Sequence, residues 1–134
     1  MFKMSLAVFR RPDLSQQEFL DYWRNIHAPL VLRLAGDIRL VRYVQHHGED
    51  CTLSRQFVWH RGVAGLHDGV AQLWWRSEAD RLAAAATDAG AEASRLLRED
   101  ERRFCDLTRS TVSFGVEHVV FDGRPSKRLT RRNA

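Results

Sequence analysis

Apolar positions alternate from Phe2 to Arg11, carrying Met4, Leu6, Val8 and Phe9, and this spacing predicts an opening strand that Pro12 and Asp13 end. Ser15 followed three residues later by Glu18 has the form of a capping box. The hydroxyl can take the N3 amide while the carboxylate reaches back to the cap. A helix is therefore expected from Ser15, with Phe19, Trp23, Ile26, Leu30 and Leu34 as its apolar stripe and Gly36-Asp37 as its stop. A second strand fits Ile38 to His47, rich in β-branched and aromatic residues. The stretch from Glu49 to Leu66 has little pattern and reads mostly as loop, with Gln56 to His60 able to pair briefly. A third strand is expected from Asp68 to Arg76, entered through an Asp-Gly turn. Ser77 with Asp80 marks another N-cap, opening an alanine-rich helix to about Thr87. A further helix is expected from Glu92 to Phe104, with Ala93, Leu96, Leu97 and Phe104 on one face, then a last strand from Ser110 to Phe121.

The order β-α-β-β-α-β is the split βαβ pattern of an α+β, ferredoxin-like fold with an antiparallel sheet. Such a sheet has helices on one face only. Leu73 and Trp75 alternate with Val70 and Trp74, which suggests that both faces need cover. Two copies meeting sheet to sheet provide that cover, so a homodimer is expected.

Composition adds limits. The chain has 134 residues, 44% of them hydrophobic, enough for one core. One domain is expected over residues 1–122, followed by a basic, disordered tail over residues 123–134. That tail holds Arg124, Lys127, Arg128, Arg131 and Arg132. Removing these five from the 21 basic residues leaves 16 against 17 acidic ones, so the +4 net charge comes from the tail and the body has no basic face for nucleic acid. Cys51 and Cys105 form no CxxC cluster, which is the usage of a reducing compartment and suggests a cytoplasmic protein. No apolar stretch approaches a membrane span, and the start lacks the apolar run of a signal peptide.

Four segments carry a resemblance. FLDYWRNIHAPLV (Phe19 to Val31) resembles the signature helix of the EthD-like family. YVQHH (Tyr43 to His47), DGVAQLWW (Asp68 to Trp75) and EDERRFCD (Glu99 to Asp106) agree with it in order and spacing. The likeness covers about the first 120 residues and implies a dimeric α+β barrel with a pocket between sheet and helices. It further implies activities on aromatic and polyketide-derived molecules, as decarboxylases, dehydratases, cyclases, isomerases or cofactor-free oxygenases. Many members have no assigned activity.

His27 leads the candidates for chemistry. It falls on the shoulder of the helix's apolar stripe, and Pro29, which lacks an N–H, should kink or break the helix beside it. An imidazole against apolar walls stays neutral near physiological pH and can take or return a proton. The plain alternative is a buried histidine that donates to a carbonyl. Asp100 lies on the apolar stripe of its helix and Asp68 at the mouth of the third strand, and either can orient His27 or act beside it. Their plain alternatives are an arginine partner and turn chemistry. Tyr22, Trp23, His46, Trp74 and Phe104 are candidate pocket residues, although aromatic positions are more often core. His46 and His47 are adjacent on a strand and face opposite ways, so with Cys51 they do not make a metal site, and no metal is expected. GxGxxG, Walker and GxSxG motifs are missing, and no cofactor is expected. The reading that follows is a lyase, decarboxylase or dehydratase, acting without a cofactor on a small aromatic or polyketide-like ligand, with His27 as general acid/base. The alternatives are a non-catalytic small-molecule or haem-binding accessory protein, and a cofactor-free monooxygenase or a cyclase/isomerase.

Overall fold

The computed structural model describes residues 1–125. Four strands, β1 (Phe2–Val8), β2 (Arg42–His47), β3 (Gly69–Trp75) and β4 (Thr111–Val116), form one antiparallel sheet in the order β2-β3-β1-β4. The helices are α1 (Gln16–Tyr22), α2 (Ala28–Leu34), α3 (Thr52–Arg61), α4 (Glu78–Ala85) and α5 (Asp88–Glu101). This is the expected ferredoxin-like arrangement, with one addition. The part of the expected tail from residue 126 onward lies outside the described residues. No helix among them is long and apolar enough to cross a membrane.

The pleat decides what faces the core. Along β3, Gly69, Ala71, Leu73 and Trp75 are buried, while Val70, Gln72 and Trp74 on the other face are only half-buried. Register places Val8, Leu6, Met4 and Phe2 of β1 opposite those four buried positions, so one face of both central strands is apolar. Phe19, Trp23 and Phe104 pack onto it as the largest fully buried side chains. Each contributes about 2–3 kcal/mol through removal from water. A β-carbon on Gly69 would run into the Trp23 ring, so glycine lets that indole lie directly on the strand. The opposite face is more polar than the alternation suggested. Val44, Gln72, Ser5 and Ser113 run across it in register.

Several expectations need correction. Glu49 to Leu66 contains the helix α3, and Gln56 to His60 lie within it and pair with no strand. It starts after Cys51 in extended geometry and stops at Gly62, whose φ of 63° ends helices without the strain a β-carbon would bring. None of its residues is buried, and Leu53 and Trp59 stand 75% and 83% exposed, so no inward-facing stripe announced it. All four strands are shorter than expected, and β4 ends at Val116, five residues before Phe121. The last helix starts earlier than Glu92 because Thr87 caps it, accepting from the Gly90 amide at 3.0 Å. Gly90 sits inside it because any side chain there would strike the Ala84 carbonyl at the α4–α5 corner.

Pro29 does not break the first helix. The chain stays helical through Trp23–His27 as a π turn, with the Ala28 amide bonding back to the Trp23 carbonyl. Gln45 on β2 donates its Nε2–H to that same carbonyl at 3.0 Å. The widened turn rotates the helix, so the buried line is Phe19, Trp23, His27 and Val31, whereas Ile26 is 54% exposed. The stripe predicted through Ile26 is thus displaced by one position onto the histidine.

Candidate active site

His27 is held from two elements. The π turn points its ring beneath the sheet, and α5 supplies the group that orients it. Asp100 reaches His27 Nδ1 with Oδ2 at 2.7 Å. Its other oxygen, Oδ1, accepts from the Tyr22 hydroxyl at 2.6 Å and from Arg103 at 3.3 Å. Both His27 and Asp100 are buried, at 6% and 4% exposure, so the pair has no competition from bulk water. Burial drives the Asp100 pKa upward, but the bonds from Tyr22 and His27 and the nearby Arg103 charge outweigh it. The carboxyl is held below its ordinary range and ionised. Burial pulls the His27 pKa down, and Asp100 only partly restores it. The combination is a neutral imidazole whose Nδ1–H donates to a carboxylate, which leaves Nε2 as the unprotonated nitrogen. The Phe104 ring, 5.0 Å from the imidazole, and Trp23 wall it in.

A cavity of about 60 Å³ adjoins the imidazole and is lined by Trp23, Val31, Leu73 and Phe104 among others, but not by Asp100. The space therefore lies away from the ring's anchored edge. A larger cleft of about 220 Å³ runs outward from it, bounded by Ile38, Trp75, Arg81 and Arg98. The two share Met4, Leu6, Leu73, Leu97 and Glu101 as walls. Glu101 stands where they meet, and its carboxyl has no hydrogen-bond or ion-pair partner among the described residues. Burial, only partly offset by Arg98, pushes its carboxyl up to about 7. Tyr43, on the wall facing it, is pushed up to about 12 by burial and remains a neutral phenol.

The sequence candidates separate cleanly. The structure brings together His27, Asp100, Tyr22, Trp23 and Phe104. Asp68 is elsewhere: it accepts from the Arg10 amide at 2.8 Å and from the Arg10 guanidinium at 3.2 Å, tying the end of β1 to the start of β3. Trp74 points to the helix-free face, where Lys3 and Arg42 lie over its ring and its indole N–H donates to Glu117 at 2.8 Å. His46 is exposed on that face too and borders a separate polar hollow with Asp68. His47 faces the helices and stacks on Trp23 at 5.0 Å. Among the described residues, no three His, Cys, Asp or Glu side chains converge as metal ligands.

Glu101 was not among the sequence candidates. Its signal is the i, i+4 relation to Leu97, an apolar residue of the same stripe. A carboxylate in that register faces the same space as its neighbour one turn earlier.

Comparison with known proteins gives consistent results. The EthD domain matches residues 11–108. A conidial pigment biosynthesis dehydratase EthD of Metarhizium robertsii is 26% identical over 125 residues, covering 90% of this chain and 86% of that protein. Among solved structures, an EthD family protein of Bacillus halodurans superposes with a TM-score of 0.56 at 18% identity, over 88% of this chain and all of the other. SnoaB of Streptomyces nogalater, a cofactor-independent oxygenase, gives 0.51 at 12% identity, over 90% and 97% of the two chains. At such identities the structural likeness speaks to the fold alone.

Proposed function

The chain belongs to the EthD domain family, and from that premise we propose that it is a cofactor-independent lyase that removes water from a hydroxylated, polyketide-type cyclic ketone. One observation carries the reading: a buried imidazole, anchored at Nδ1 by an ionised Asp100, borders an apolar cleft whose wall also carries the carboxyl of Glu101. The name of the Metarhizium relative supports dehydration over decarboxylation. Loss of water from a β-hydroxy ketone needs a base for the acidic C–H beside the carbonyl and an acid for the departing hydroxyl. His27 Nε2 takes the carbon-bound proton. The C–H electron pair becomes the new C=C bond, and the C–O bond breaks as Glu101 protonates the oxygen. The protein is left with imidazolium and carboxylate, and passage of one proton from His27 to Glu101 through the released water restores both. Asp100 stabilises the imidazolium while it exists, and the apolar walls keep bulk water from the reacting carbon.

The test is turnover of hydroxylated bicyclic ketones, followed by mass spectrometry as loss of one water, across a pH series. His27 must be neutral and Glu101 protonated. Activity therefore rises with pH through the lowered His27 pKa and falls as Glu101 ionises, near pH 7. Glu101→Gln keeps the shape but supplies no proton, and kcat is expected to drop by about a hundredfold. A flat profile from pH 6 to pH 9 would sink the two-group scheme.

We also propose that two copies associate. Beyond the helix-covered centre, Val112, Phe114 and Val116 of β4 are 46–62% exposed, and Val119, Val120 and Phe121 follow at 75–95%. An apolar run of that length on a surface marks an interface. Light scattering of the purified chain is expected to give twice the monomer mass, and a Val120→Asp, Phe121→Asp double variant the monomer mass. A wild-type monomer at micromolar concentration would overturn the assignment.

A further inference from the structure

Arg81 is built into the outer cleft without a counterion. Its side chain leaves α4 and lies over the Trp75 ring at 4.9 Å and near Phe114 at 5.8 Å, so the guanidinium sits against aromatic rings of two strands. Its Nε is shut off from solvent and has no hydrogen-bond partner among the described residues. No carboxylate pairs with it among the described residues. Asp80, one position earlier, is taken by Arg39 at 2.9 Å. Glu101, the acid in the same cleft, makes no ion pair either. Arg98, a second guanidinium on that wall, also has no ion-pair partner among the described residues. A half-buried arginine fixed in this way presents a fork of donors whose natural complement is a planar anion.

We propose that the outer end of the cleft is a carboxylate subsite, in which Arg81 binds the acidic group of an aromatic substrate whose rings lie along Met4, Leu6, Leu73 and Leu97 toward His27. The inference rests on the small-molecule reading of the cleft and adds the class of ligand. The dimensions agree with it. Roughly 150 Å³ of apolar cavity accepts one benzene ring, so about 220 Å³ with a deeper recess of about 60 Å³ suits one to two fused rings. A neutral ligand of that size leaves the guanidinium edge unpaired in a desolvated site, which penalises it relative to an acid.

Calorimetric titration of the intact chain with 2-naphthoate and its neutral isostere 2-naphthamide tests this. Naphthoate is expected to bind about tenfold tighter. Arg81→Met should bring naphthoate down to the amide's affinity and leave the amide within about twofold. Equal affinity of the two ligands for the wild type, or an equal loss of both in the variant, overturns the carboxylate subsite while the cleft stands as a ligand pocket. Failure of the amide and the acid alike to bind the wild type overturns the cleft reading and the subsite with it. Arg81→Lys keeps the charge and most of the stem over Trp75, and serves if the methionine variant does not fold. A loss of naphthoate affinity of about threefold or more with the amide unchanged supports the subsite, and a parallel loss overturns it.

Discussion

His27→Ala is expected to lower kcat by about a hundredfold to ten-thousandfold while the protein stays folded. Nε2 is the base in the proposed elimination, and no other described imidazole lines the cleft to replace it. His27 makes one side-chain hydrogen bond, to Asp100, and the Tyr22 hydroxyl and Arg103 remain to occupy that carboxylate when the ring is removed. The stability loss should therefore stay near that of a small cavity, about 1–3 kcal/mol. Thermal melting beside a turnover assay separates the two effects. Unchanged kcat in a folded variant would remove His27 from the chemistry.

Asp100 carries the second large effect, and here geometry and charge can be pulled apart. Asp100→Asn preserves the outline of the side chain but replaces one acceptor by a donor. Tyr22 still finds the amide oxygen. The amide NH₂ then faces His27 Nδ1, which must accept, and the ring proton moves to Nε2. The base is lost without loss of the residue, so kcat should fall about a hundredfold or more with KM little changed. Asp100→Ala leaves the Tyr22 hydroxyl and His27 Nδ1–H unpaired in a buried site and is expected to lower stability by about 3 kcal/mol. Urea denaturation measures that difference. An asparagine variant with wild-type kcat would show that the tautomer is irrelevant.

How far the sequence leads depends on whether a pattern has a partner to answer to. The strand Gly69–Trp75 was legible because one face is buried and the pleat writes that face into every second residue, and Phe2–Val8 because its apolar residues Phe2, Met4, Leu6 and Val8 stand opposite that face. The capping box at Ser15 and Glu18 is present in full, with both reciprocal bonds formed. By contrast, α3 buries nothing and so left no periodicity. In the site, His27 and Asp100 stood out as polar residues on apolar stripes, and their pairing joins two helices 73 residues apart in the chain. Asp68 was marked by its place at the mouth of the third strand, yet its partner is Arg10, which only the β1–β3 pairing brings within reach. Trp74 and Trp75 are equivalent by composition, and only the register tells which meets the helices. Glu101 was hidden by its neighbour, since two adjacent carboxylates point to different sides of one helix.

The π turn sets how much length the first helix can lose. A segment wound this way holds one residue more than ordinary helical pitch would use over the same rise. Arg24, Asn25 and Ile26 are all exposed, so exchanging their side chains leaves the imidazole where it is. Losing one of them would let the same N–H and carbonyl close as an ordinary i, i+4 turn, with Trp23 and His27 still on the buried side. This is the one stretch of the helix with a residue to spare.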